Sequence, residues 1–325
     1  MSNTQENMRA VAIEEFGGTD KLKVVKFKKP EIADDQILLR THFAGVGVWD
    51  SGEREGIFAE MMDKEPEFPK ILGTEGSGIV EKAGKGQDKF SEGDRVYGQL
   101  MPKEHDNGFY AEYSVLKTNE AWRIPENLDL EQASVLTVDG GTALRGLRDT
   151  LKIQQGESLM VFGASGGLGH LAIQIAKKMG AKVFAVASGK DGVELARNLG
   201  ADAAVNGKED DVLSAARDFA PDGIDAAILA TGGEKAQEAL KALKSDGRVA
   251  YPMGVEPEPE AINDLQIDSY NGKIEDELIQ SLNKLVESGT FKVHIGKTYS
   301  MDEIAKAQEK VSDHLLGRMN LKIKE

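Results

Sequence analysis

Gly163-Ala164-Ser165-Gly166-Gly167-Leu168-Gly169 lies at the junction between an apolar run, Leu159–Phe162, and an amphipathic stretch, Leu168–Met179. Nothing else in the chain constrains its fold as tightly. A glycine-rich turn between a strand and a helix lets backbone approach a pyrophosphate, while the helix's free N–H groups and dipole face its negative charge. A glycine motif alone says little, but this one opens a longer rhythm. The runs Leu159–Phe162, Val183–Val186, Ala203–Val205, Ala226–Leu229 and Val249–Tyr251 read as five strands. Between them Leu168–Met179, Gly192–Leu199, Val212–Phe219 and Lys235–Leu243 supply helical crossovers. Short apolar runs alternating with amphipathic helices predict a doubly wound parallel sheet, an α/β fold with a dinucleotide site on its first turn.

The end of the second strand selects the dinucleotide. An acidic side chain there would accept the ribose hydroxyls of NAD and repel the extra phosphate of NADP. This chain instead carries Val186-Ala187-Ser188-Gly189-Lys190, a hydroxyl and a cation suited to a 2′-phosphate. Asp191 follows and is assigned the N-cap of the next helix. NADPH is the expected cofactor.

The segment from Met8 to about Trp122 differs in kind. Met8–Ile13, Leu22–Val25, Gln36–Arg40, Gly73–Val80, Gly93–Tyr97 and Ala111–Val115 are short, β-rich and separated by turns, which predicts a compact β lobe. A helix-like stretch, Leu130–Leu136, follows Pro125. Val255–Glu260 reads as a solvated, proline-stiffened linker. Glu275–Ser288 reads as an amphipathic core helix and Met319–Ile323 as a terminal strand.

A net charge of −15 disfavours nucleic acid and anionic membranes as partners, and the absence of cysteine removes disulfides, thiolate nucleophiles and cysteine-based zinc sites. No apolar run approaches the ~18 residues of a membrane span, and the opening residues lack a signal-peptide pattern. A cytoplasmic protein is expected.

Several motifs in order resemble the medium-chain dehydrogenase/reductase superfamily, in its zinc-independent quinone oxidoreductase branch. They are Met8–Gly18; Asp50 with Arg54 and Gly56; Pro69–Val80 with Gly73, Glu75 and Gly78; Gly93-Asp94-Arg95-Val96; Gly108–Tyr113; Gly141-Thr142-Ala143; the glycine turn; and Gly317–Leu321. The resemblance implies a GroES-like catalytic domain over 1–124, completed by 289–325, and a Rossmann domain over 125–288. It implies a homodimer and a small carbonyl substrate in the cleft between the domains. Beyond the turn (Gly163, Ala164, Ser165, Gly166, Gly167, Leu168 and Gly169), Ser188 and Lys190, it extends the cofactor contacts to Thr142, Asn206, Thr231, Met253 and Gly254.

Zinc-dependent relatives hold catalytic metal where this chain has Gly47, Thr74 and Val138. None of these side chains replaces a thiolate or imidazole, and Glu75 alone makes no site, so no zinc is expected. Quinone reductases of the family often carry asparagine and tyrosine where this chain has Gly47 and Gly52. No catalytic residue follows from the sequence; Trp49, Asp50 and Arg54 are the substrate-cleft candidates, with Trp49 lining the cleft. Asp50 and Arg54 form an acid–base pair that either holds the cleft wall or is purely structural. Of His42, His105, His170, His294 and His314, only His170 lies near a phosphate site, as a helix-start residue; the others read as surface or packing histidines. Without a Lewis acid, the acceptor must be activated by conjugation. A quinone or enone reductase is expected, with an NADPH-dependent enoyl-thioester reductase and a cofactor-binding protein acting through a partner as the alternatives.

Overall fold

The computed structural model describes residues 6–62, 67–101, 107–262 and 264–324. His105 lies outside them. The chain forms two compact units: Met1–Thr137 with Ile295–Asp313 and Arg318–Glu325, and Val138–His294 with His314–Gly317.

The first unit begins with β1 (Asn7–Ile13), β2 (Lys23–Lys28) and β3 (Gln36–Val46), then α1 (Val48–Glu55) and α2 (Ile57–Met62). Strands β4 (Lys70–Ile71), β5 (Glu75–Ala83), β6 (Arg95–Gln99), β7 (Tyr113–Lys117) and β8 (Ala121–Arg123) follow. One small sheet has the order β2-β1-β4. One face buries Met8, Ala10 and Ala12 with Ile71 and Ala111, and on the other face of β1 Val11 and Ile13 are buried too. Of the stretch read as a helix over Leu130–Leu136, only α3 (Leu130–Ala133) is helical, and a turn separates it from the next helix, α4 (Thr137–Arg145). Asp129 caps the first by accepting the Gln132 N–H at 2.8 Å.

In the second unit the elements alternate: β9 (Ser158–Phe162), α5 (Gly167–Lys178), β10 (Lys182–Ala187), α6 (Gly189–Asn198), β11 (Ala203–Asn206), α7 (Val212–Phe219), β12 (Ile224–Leu229), α8 (Glu234–Ala239), β13 (Leu243–Pro252), β14 (Gln266–Tyr270) and α9 (Asp276–Glu287). The sheet is parallel throughout, in the order β11-β10-β9-β12-β13-β14. Strand β9 is buried at every position, as a central strand covered on both faces must be. The order reverses between β9 and β12, which opens a crevice beyond their carboxyl ends.

Three sequence expectations change here. The sheet has a sixth strand, β14, because an edge strand does not need a continuous apolar run. Helix α6 starts at Gly189 with Ser188 as its N-cap, so Asp191 lies inside the first turn rather than capping it. Gly189 has φ +74°, a conformation that favours glycine and lets the chain turn into the helix three residues early. Lastly, Val255–Glu260 docks on its own unit: Val255 is buried, and Gln237 and Glu260 exchange hydrogen bonds of 2.9 and 3.0 Å.

The chain then returns to the first unit through β15 (Ile295–Ser300), α10 (Ile304–Glu309) and β16 (Arg318–Lys322). Strand β16 lies antiparallel to β3, so the larger sheet runs β15-β16-β3-β5-β6-β8, with β7 also paired to β3. Among the described residues no helix is long and apolar enough to cross a membrane.

Candidate functional site

The glycine turn leaves β9 at the point where the strand order reverses. The N–H groups of Gly163 and Ala164 both donate to the Val186 carbonyl at 3.0 Å, tying the turn to the end of β10. Close packing dictates the glycines. A Cβ on Gly169 would lie 2.2 Å from the Gly163 carbonyl oxygen, and one on Gly192 would lie 2.9 Å from Ser165. Gly166 differs: the nearest atom to its missing Cβ is 3.6 Å away, so the turn keeps space in front of it. Gly166 is the N-cap of α5 and offers no side-chain acceptor, which leaves the first helical N–H groups, those of Gly167 and Leu168, to an external anion. These features fit a dinucleotide pyrophosphate.

The other cofactor candidates lie along the same carboxyl edge of the sheet. Thr231 follows β12, and its Cγ2 is 3.3 Å from where a Gly163 Cβ would stand. Met253 and Gly254 follow β13; Met253 is 65% exposed, and its N–H donates to the Tyr270 carbonyl at 2.9 Å. Thr142, on α4, packs against Gly272 just beyond β14.

Ser188 and Lys190 sit beyond β10. The Ser188 hydroxyl makes no capping bond, and among the described residues Lys190 has no carboxylate partner. Asp191 is turned elsewhere: it accepts the Gly192 N–H at 2.9 Å, and its other oxygen is 3.4 Å from His314 Nε2. Those contacts hold its carboxyl below the usual range, chiefly through the Gly192 N–H. Asn206 is a brace, because its Oδ1 accepts the N–H groups of Gly189 at 3.2 Å and Lys208 at 3.1 Å. That brace draws a second exposed cation, Lys208, to the Ser188–Lys190 loop, and sequence reasoning missed it. Arg197 donates instead to the Ala204 carbonyl at 3.0 Å.

In the first unit, the side chains read as a substrate-cleft wall are arranged differently from the expectation. Asp50 is wholly buried and does not pair with Arg54. It accepts the Gly47 N–H at 2.7 Å, the Thr74 N–H at 3.1 Å and the Thr74 hydroxyl at 2.9 Å. One carboxylate thus joins two positions at which zinc-dependent relatives place ligands. Arg54 pairs with its neighbour Glu55. Glu53, buried 3.3 Å from Lys70, has its carboxyl raised to about 7, because desolvation outweighs the lysine's attraction and Asp50 adds repulsion.

Trp49 explains the glycine at position 47. A Cβ there would lie 2.4 Å from Trp49 Cε2, so the indole fills the volume that a ligand side chain would use. The Arg318 guanidinium lies 4.7 Å from the indole ring centre and bonds Glu75, which is fully buried, at 2.8 Å. Glu75 is thereby committed to Arg318. Among the described residues no cluster of three His, Asp or Glu side chains could hold a metal ion.

Comparison with known proteins agrees with both halves of the fold. Residues 33–126 match the family described as "Alcohol dehydrogenase GroES-like domain", and residues 167–274 the one described as "Zinc-binding dehydrogenase". The chain is 30% identical to quinone oxidoreductase of Rattus norvegicus, with 98% of each chain covered. It is also 30% identical to the chloroplastic NADPH-dependent alkenal/one oxidoreductase of Arabidopsis thaliana, over 88% of this chain and 71% of that one. A solved NAD-dependent alcohol dehydrogenase is similar with a TM-score of 0.88 at 26% identity, covering 97% of this chain and all of the other (100%).

Proposed function

The chain belongs to the medium-chain dehydrogenase/reductase superfamily, in its quinone oxidoreductase-like branch, and from that membership we propose an NADPH-dependent, zinc-independent enzyme that reduces quinones or α,β-unsaturated carbonyls. That it is an oxidoreductase follows from the family. The cofactor and acceptor are argued from this chain's own residues, because its relatives' names point both to NADPH and to NAD. The observation that carries the reading is the open glycine turn at the strand-order reversal, with Lys190, which has no carboxylate partner among the described residues, beyond the end of the adjacent strand.

When bound, NADPH supplies the hydride. The chain's residues do the rest. Gly167 and Leu168 present N–H groups to the pyrophosphate, the open side of Gly166 admits it, and Gly169 lets the helix pack closely onto the turn. Ser188 and Lys190 bind the 2′-phosphate, with Asn206 bracing their loop. Thr142, Thr231, Met253 and Gly254 border the site farther along the sheet edge, toward the nicotinamide. In the catalytic lobe, Gly47 and Thr74 offer no metal ligand, and Asp50 is spent on holding them together. Charge growing on the substrate oxygen therefore meets no Lewis acid from this chain, and the acceptor must delocalise it by conjugation. The protein is read as cytoplasmic and, on the family's implication, as a homodimer.

An acceptor panel followed by NADPH oxidation tests this. Benzoquinone and cyclohexenone are expected to turn over at least ~100-fold faster than cyclohexanone, since the saturated ketone lacks roughly 3 kcal/mol of transition-state delocalisation. Equal rates on the two cyclic ketones would contradict the zinc-independent mechanism. Exclusive turnover of an enoyl thioester would reassign the substrate, and no turnover despite tight NADPH binding would favour a cofactor-binding protein.

A further inference from the structure

We propose that His170 is a positioning residue for the dinucleotide: its imidazole fixes the Gly166–Gly167 peptide and ties it to the segments through which the chain leaves the unit. The inference rests on the dinucleotide reading above, but not on the preference for NADPH.

His170 lies in the first turn of α5 and is 0% exposed. Its Nδ1 is 2.9 Å from the Gly166 carbonyl oxygen, which also accepts the His170 backbone N–H at 3.1 Å. A carbonyl cannot donate, so Nδ1 carries the hydrogen. On the far side of the ring the His294 N–H donates to Nε2 at 3.2 Å. The two partners together specify one neutral tautomer and one ring orientation.

The consequence follows from peptide geometry. In a planar trans peptide the C=O and N–H point in opposite directions. Holding the Gly166 carbonyl toward the body of the helix therefore points the Gly167 N–H out of its end, toward the pyrophosphate. Two consecutive glycines would otherwise let that peptide rotate at little cost. The imidazole removes the freedom in advance, so binding does not have to.

The outer contact of the ring belongs to a larger fastening. Gln174, one helical turn beyond His170, exchanges two 2.8 Å hydrogen bonds with the Lys292 backbone. Gly317 donates to the Ser165 carbonyl at 2.8 Å, and its missing Cβ would lie 2.1 Å from the His294 oxygen. The chain leaves this unit after His294 and again after Gly317. Both departures are therefore fastened to the glycine turn, at Ser165 and, through His170, at Gly166.

Three substitutions separate the two halves of the imidazole's role. In His170→Asn the amide nitrogen takes the place of Nδ1 and keeps the bond to Gly166. In His170→Gln the amide oxygen takes the place of Nε2 and keeps only the bond from His294. His170→Phe keeps the volume and neither bond. Affinities would be titrated for NADPH, NADH, ADP-ribose and 2′-AMP, which lacks the pyrophosphate, with thermal melts alongside. The Gln and Phe variants are expected to weaken ADP-ribose and both dinucleotides by one common factor of about 3- to 10-fold, the size of one neutral hydrogen bond, and to leave 2′-AMP unchanged. The Asn variant should restore wild-type affinity although it melts earlier. The inference is overturned if Gln and Phe bind ADP-ribose like wild type while only their melting temperatures fall, or if Asn weakens it as much as Gln. Wild-type protein that binds no ADP-ribose would overturn the dinucleotide reading itself. A common loss of affinity without any wild-type preference for NADPH would support the inference and count against the 2′-phosphate site alone.

Discussion

Replacing Gly169 with alanine is expected to abolish useful dinucleotide binding. The added Cβ would stand 2.2 Å from the Gly163 oxygen, 2.7 Å from Ala164 Cα and 2.8 Å from the Gly163 carbonyl carbon. All three are backbone atoms, so no side chain can swing aside; either α5 or the turn must shift. Overpacking of this kind costs ~1–3 kcal/mol in stability. A shift also moves the N–H groups off the pyrophosphate, and losing ~3 kcal/mol there lowers affinity about 100-fold. Gly166→Ala is the informative companion, because its Cβ has open space and only the ligand to meet. It should keep the wild-type melting temperature and still bind NADPH poorly. If Gly169→Ala bound NADPH normally, the turn would not be the cradle.

The second large effect concerns the choice of dinucleotide. Lys190→Ala is expected to weaken NADPH by about 10- to 150-fold and leave NADH nearly unchanged, since a charge-assisted hydrogen bond to the 2′-phosphate contributes roughly 1.5–3 kcal/mol. Salt should reduce the difference. Ser188→Ala removes a neutral bond of ~1 kcal/mol and should cost less. The neighbouring acid does not cancel the lysine, because Asp191 is held by the Gly192 N–H and lies beside His314. If the preference for NADPH survives Lys190→Ala, Lys208 is the residue to change next. Its backbone is held to the same Asn206 oxygen as Gly189, whereas Arg197 is engaged with Ala204. Titration with both cofactors checks the claim, and equal wild-type affinities for NADH and NADPH would refute it.

The parts legible in the sequence were those encoded by local repetition. The strand–glycine turn–helix order and the alternating apolar runs define the parallel sheet, because strands β9 and β10 are buried almost throughout and, past Ser158 and Lys182 at their starts, are apolar. Strand β14 was not legible: Gln266-Ile267-Asp268-Ser269-Tyr270 pairs on one side only and keeps polar residues on an exposed edge. Asp50 and Arg54 are spaced as helical neighbours, which suggested a pair. The carboxylate is instead claimed by Thr74, 24 residues away and just before β5. Lys208 joins the Ser188–Lys190 loop through a brace that no local pattern reveals. The coupling of Gly47 to Trp49 likewise depends on how α1 turns the indole back over the preceding strand end. His170 looked like an ordinary helix-start residue because its second partner lies 124 positions along the chain.

Hydride transfer from NADPH to a conjugated carbonyl without zinc, as proposed above, is open to direct test. The most direct measurement is the rate of NADPH oxidation by cyclohexenone before and after exhaustive chelation, with the metal content of the same samples determined by elemental analysis. An unchanged rate and no stoichiometric zinc are expected, because Gly47, Thr74 and Val138 stand where zinc-dependent relatives carry their three ligands. About one zinc per chain, lost together with the activity on chelation and restored with it, would instead make this a zinc enzyme.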